Sequence, residues 1–235
     1  MNARSRARVI GVIYLLYFLT AVGGALIAPG TGGPGGLPTD ASAFAKSITS
    51  QELQYELGVG LGLVSTAIYV ALAGLFYLLL RPVSRTLALL MVLFDLVLCA
   101  VTAFASVFQL GPLVLLDGGS YLSVFDARQL HALALLSLHF SDLAGHVALV
   151  FAGGFQLFLG YLIYRSGFLP RIIGVLIAVA GVGWLTFLIP PLAAFLITET
   201  EVVGFAAEAS LMLWLIVMGV NDQRWEQRAA EARAS

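Results

Sequence analysis

The chain has 235 residues, is 60% hydrophobic and 11% charged, and carries a formal charge of −1 with a mean hydropathy of +0.98. These values argue against a soluble single domain, because several apolar runs are long enough to cross a hydrocarbon layer of ~30 Å and lipid must serve as part of the solvent. With Cys99 as the single cysteine, an internal disulfide framework is impossible.

Six runs read as membrane-spanning helices, at about 9–28, 57–80, 86–110, 143–164, 172–191 and 202–220. They predict an all-α integral membrane protein in which residues 1–235 form one bundle of six transmembrane helices. Open strands would leave unpaired backbone groups in lipid at several kcal/mol each, and no segment shows the alternation of a barrel strand. RSRAR and the first run can also be read as a cleavable signal peptide, but the run is nearer spanning length than a signal core. The Gly/Pro stretch APGTGGPGGLPTD that follows reads as an outer loop. Asp40 or Thr39 then caps a short helix, ASAFAKSITSQE, expected to rest on the membrane interface.

RPVSR is a tight turn after the second run, and its two arginines can reach lipid phosphates. A longer outer loop, LGPLVLLDGGSYLSVFDARQ, follows the third run, and YRSGFLPR makes a second tight turn after the fourth. QRWEQRAAEARAS closes the chain as a short charged helix with Trp225 at the interface, too short for nucleic-acid binding. Once the spans are drawn, Arg4, Arg6, Arg8, Arg81, Arg85, Arg165, Arg171, Arg224, Arg228 and Arg233 share one side, against Lys46 and Arg128 on the other. That bias puts both termini in the cytoplasm. Small residues at Gly58-x-x-x-Gly62, Gly153-Gly154 and Gly181-x-Gly183 allow close helix approach, within the chain first and in a homodimer second.

Ten residues of helix rise about 15 Å, the distance from a boundary to the middle of the membrane. Counted from Arg85, Asp95 falls there. Counted from Arg165, so does Gln156, and counted from Asn221, Glu208 lies within about one turn of it. Tyr17, Tyr69 and Trp184 lie near the same level, and their polar tips can complete a hydrogen-bonded cluster. A carboxylate so deep costs at least ~2.5–3.5 kcal/mol unless it has partners or water, and no Lys or Arg shares the layer. The acids are therefore expected to be protonated, to share a proton or to hold a cation, with Asp95, Gln156, Glu208 and Tyr69 as the candidate ligand-binding set.

In the fourth run, Arg128, His131, Leu135, His139, Asp142, His146, Leu149, Gly153 and Gln156 follow steps of three and four, which form one stripe on a helix. Glu56, His139, Asp142 and His146 are expected at the rim of an outward-facing polar cleft with the acids at its floor. Asp142 and His146 are four apart and can share a divalent metal, whereas His139 and His146 are about 10 Å apart along the helix. HExxH and HxxxH are absent, and solvated interfacial histidines are the simpler reading. Phosphate-loop, nucleophile-elbow, kinase and dinucleotide fingerprints are absent as well.

RPVSRTLALL, QLHALALLSLH, LGYLIYRSGFLPRIIGVLI and PTDASAFAKSITSQE together resemble a bacterial membrane family designated domain of unknown function four-three-eight-six. The likeness runs over most of the chain, and YRSGFLPR is its most specific element. The resemblance implies a compact multi-pass inner-membrane protein and transfers no activity or site residue.

The sequence thus favours binding or transport of a small cationic or amphipathic solute, or a lipid, through a polar cleft. A membrane-embedded metal hydrolase using the His139–His146 region is one alternative. A structural or regulatory membrane subunit is another.

Overall fold

The computed structural model describes residues 2–28 and 36–234, so most of the expected Gly/Pro outer loop, at 29–35, lies outside the described residues. Among the described residues the chain is helical, with no strand: α1 (Ala3–Ile27), α2 (Ala41–Ser50), α3 (Glu52–Leu80), α4 (Arg85–Leu116), α5 (Ala127–Ser166), α6 (Arg171–Leu185), α7 (Pro190–Val217) and α8 (Asp222–Ala234). Six of these are long and apolar enough to cross a membrane: α1, α3, α4, α5, α6 with the 3₁₀ turn that extends it to Leu188, and α7. They are the six expected runs, but most begin or end beyond the expected limits. Residues such as Arg4, Glu52 and Gln129 sustain a helix without being apolar, so hydropathy marks the lipid-crossing part and misses the ends.

The largest extensions are in α4 and α5. The Gly111-Pro112 pair had been expected in the outer loop, yet α4 continues through Pro112 to Leu116. Proline removes the amide that would bond the Phe108 carbonyl one turn back. The Ser137 hydroxyl of α5 supplies the missing donor at 2.7 Å, and the Tyr55 hydroxyl of α3 donates to the next carbonyl, Gln109, at 2.6 Å. α5 runs for 40 residues and is the most enclosed span, with 56% of its most apolar stretch buried against 22% for α1.

Local signals set several ends. Asp40 caps α2, accepting from the amides of Ser42 at 2.8 Å and Ala43 at 3.0 Å, as its position in the sequence predicts. Gly167 and Gly219, at φ of 72° and 68°, turn the chain out of α5 and α7 in the left-handed conformation that glycine adopts without steric cost. Pro190 and Pro191 open α7, where the missing amides are not needed.

The described chain divides into two compact units. The first comprises 1–16, 68–99 and 147–235. In it, Gly153 and Gly160 of α5 face the carbonyls of Gly181 and Gly174 of α6, where an added Cβ would lie only 2.8 and 2.6 Å from oxygen. α8 covers helix ends in this unit: Trp225 Nε1 donates to the Leu79 carbonyl at 2.9 Å and Arg224 to the Gly167 carbonyl at 2.9 Å. Arg4 and Arg8 donate to the carbonyls of Met218 and Val217 at the end of α7. Each bond satisfies a terminal carbonyl that has no partner within its own helix.

The second unit comprises 17–67 and 100–146. Its core gathers Phe44 and Ile48 of α2, Tyr55 and Val59 of α3, and Ala134, Leu135 and Leu138 of α5. Gly58 packs against Ala28 and the Gly24 carbonyl of the α1 segment, so this small-residue position serves packing within the chain. Large apolar side chains stay exposed along the spans, among them Val12, Leu16 and Leu19 on α1 and Val175, Val179 and Val182 on α6. Helical rows of this kind suit a hydrocarbon solvent.

Candidate functional site

Asp95 on α4, Gln156 on α5 and Glu208 on α7 all belong to the first unit. Asp95 and Gln156 stand ten and nine residues from Arg85 and Arg165, about 15 Å by helix rise, and Glu208 stands nine residues from Val217, the last residue of α7. Gln156 Nε2 donates to Glu208 Oε1 at 2.7 Å, the Tyr14 hydroxyl of α1 also hydrogen-bonds the Glu208 carboxyl, and Asp95 lies within electrostatic reach of Glu208. The Cys99 thiol, one turn beyond Asp95, donates to its Oδ2 at 3.6 Å.

Asp95 is 0% exposed and Gln156 1%, while Glu208 is half-buried. Asp95 Oδ1 and Gln156 Oε1 are both buried acceptors without a hydrogen-bond partner. The expected cleft floor is therefore closed to solvent at these two side chains. Among the described residues no Lys, Arg or His pairs with either acid.

Tyr69 is buried beside this group, its ring edge-on to Phe155 at 5.7 Å, the residue before Gln156. Gly154 leaves room for the Phe94 ring, which also packs on Phe151 and Phe158, so aromatic side chains wall the segment that carries Asp95 and Gln156. Trp184, expected near the same level, lies against Gly204, one turn before Glu208 on α7, and against Phe187. Tyr17 belongs to the second unit.

Tyr14 and Cys99 were missed as polar partners. α1 starts at Ala3 rather than at 9, which moves its middle one turn earlier, from Tyr17 to Tyr14. Cys99 was legible by spacing, since residues four apart share a helix face, but reads from sequence as a packing residue.

The expected rim residues belong to the second unit. Glu56 and His139 are exposed. Asp142 Oδ2 and His146 Nδ1 lie 3.7 Å apart, with side chains 40% and 41% exposed. His131 meets Ser42 Oγ at 3.4 Å through Nδ1. Among the described residues no group of three His, Cys, Asp or Glu side chains gathers for a metal, so the Asp142–His146 donor set stops at two. A catalytic zinc site takes three protein ligands, and this set does not fit one.

Comparison with known proteins gives membership rather than chemistry. An uncharacterized protein of Archaeoglobus fulgidus is 28% identical over 152 residues, covering 64% of this chain and 76% of that protein. No solved structure matches. Residues 9–219 match one family model, an extent that takes in α1 from Val9, the other five helices long and apolar enough to cross a membrane and every residue of the carboxylate cluster, and the chain belongs to that family, described as Domain of unknown function (DUF4386).

Proposed function

We propose that this membrane protein binds a proton or a small cation at Asp95, Gln156 and Glu208 and passes it, or a small cationic or amphipathic solute exchanged with it, across the bilayer. The observation that carries the reading is Asp95, a fully buried carboxyl that among the described residues has a thiol as its one hydrogen-bond partner and an Oδ1 with none. A charged carboxylate in that position costs more than the protein supplies in return, so the group must hold a proton or neutralise a cation. Glu208 is the second carrier. Gln156 holds it through Nε2 and keeps Oε1 as a further neutral acceptor, and Tyr14 fixes the carboxyl from the α1 side.

In this reading the arginine-rich helix ends face the cytoplasm of the inner membrane, which puts both termini there and α2 at the outer interface. Protein in vesicles with a trapped pH dye, driven by a potassium diffusion potential, tests proton passage. Asp95→Asn and Glu208→Gln are each expected to reduce proton flux to the level of protein-free vesicles. Wild-type flux in both variants, or wild-type protein no faster than empty vesicles, overturns the reading.

A further inference from the structure

At the arginine-bearing end of the first unit, Trp225 of α8 lines two neighbouring cavities of opposite character. One is an apolar groove of about 150 Å³ formed by Ala3, Val9 and Ile10 of α1 and Leu75, Leu78 and Leu79 of α3, with Arg6 at its edge. Arg6 lies over the Trp225 ring at 4.8 Å. The other is an open cavity of about 650 Å³ walled by Arg81, Arg85, Arg228 and Arg233, with Glu231 as its one acid. Glu231 is bound to Arg228 at 3.4 Å, whereas Arg81, Arg85 and Arg233 have no ion-pair partner among the described residues. Four arginines line one volume with a single acid among its walls, an excess of positive charge that an anion would offset.

We propose that the two cavities together bind one anionic phospholipid, with the headgroup phosphate among the arginines and the first methylenes of an acyl chain in the groove. Adjacency supports a lipid over a soluble anion. Leu79 of the groove and Arg81 of the cavity are two residues apart in the chain, so the apolar and cationic linings adjoin as the chains and headgroup of a phospholipid do. Val9 and Leu78 are 45% and 47% exposed, so the groove opens where acyl chains run. A 150 Å³ apolar cavity is large enough for a benzene-sized hydrocarbon. Guanidinium supplies forked donors matched to phosphate oxygens, and the indole, anchored through Nε1 to the Leu79 carbonyl at 2.9 Å, sits at the boundary that tryptophan favours. Basic pockets beside transmembrane helices hold anionic headgroups by this chemistry. No lining residue belongs to the carboxylate cluster, so the two sites are tested separately.

The test uses full-length protein carrying Trp184→Phe and Trp214→Phe, which leaves Trp225 as the single tryptophan. Phosphatidylglycerol brominated near the ester end of its chain is expected to quench Trp225 at roughly tenfold lower mole fraction than equally brominated phosphatidylcholine. Replacing Arg81, Arg85, Arg228 and Arg233 together by Gln removes that preference, and replacing all four by Lys keeps most of it. Arg233→Gln alone, at an exposed position, weakens the preference and provides the reading if the fourfold variant does not fold. Equal quenching by the two lipids overturns the proposal, as does an undiminished preference in the Gln variants. Full displacement of the lipid by inorganic phosphate assigns the cavity to a soluble anion and overturns it too.

Discussion

Gln156 and the glycines of α5 show how much rests on single positions. The Gln156 amide gives Nε2 to Glu208 and leaves Oε1 buried without a partner, so it is committed on one side only. Gln156→Leu removes the donor while preserving bulk, and leaves a carboxyl oxygen in a nonpolar layer. The expected loss is about 1–3 kcal/mol in thermal or denaturant unfolding of the purified protein. Wild-type stability would mean that this bond contributes nothing to the fold. Glycine substitutions separate packing from propensity. A Cβ on Gly160 would lie 2.6 Å from the Gly174 carbonyl and 2.7 Å from the Ala178 amide, backbone atoms on both sides, whereas one on Gly74 would meet nothing within 4 Å. Gly160→Ala is therefore expected to destabilise by about 1–3 kcal/mol through forced separation of α5 and α6. Gly74→Ala should be neutral or stabilising by up to ~1 kcal/mol, from helix propensity alone.

Among the elements, α4 is the one whose course could not be read locally. Gly111-Pro112 breaks a helix in most contexts, and nothing in the flanking residues reverses that expectation. What reverses it is Ser137, distant in sequence, donating to the carbonyl that the proline leaves unmatched. A double-mutant cycle tests the account. Ser137→Ala should cost about 1 kcal/mol while Pro112 is present and close to nothing once Pro112→Ala restores the backbone amide. Additive costs would show that the two residues act independently. α5 makes the complementary point. Its stripe of three- and four-residue steps was visible as a helix face, and the helix is continuous from Ala127 to Ser166. Only the contacts reveal that Asp142 and His146 lie 3.7 Å apart while His139 stays exposed.

For the whole molecule, the orientation proposed from the ten-to-two division of basic residues is one that a labelling experiment reads directly. In a Cys99→Ser background, Ser120→Cys should react with an impermeant maleimide added to intact cells, and Gln227→Cys should react only after the membrane is opened. The reverse pattern would invert the orientation given under the proposed function and place the arginine cavity on the other side of the membrane. Cys99 itself, 5% exposed, should be unreactive in both conditions.

The sequence alone determined the number and rough position of the apolar helices and the family, and it grouped Asp95, Gln156 and Glu208 at about one level along their helices. Each of these follows from one-dimensional quantities: apolar run length against bilayer thickness, local motif, and residues counted from an arginine at fixed rise. Tertiary structure decided who bonds to whom at that level. Tyr14 on Glu208, the orphaned oxygens of Asp95 and Gln156, the mended break at Pro112 and the meeting of an apolar groove with an arginine cavity at Trp225 all depend on how helices remote in sequence are rotated and packed. Rotation about a helix axis is set by close contacts such as Gly153 on Gly181, and hydropathy, nearly uniform around these spans, carries little information about it.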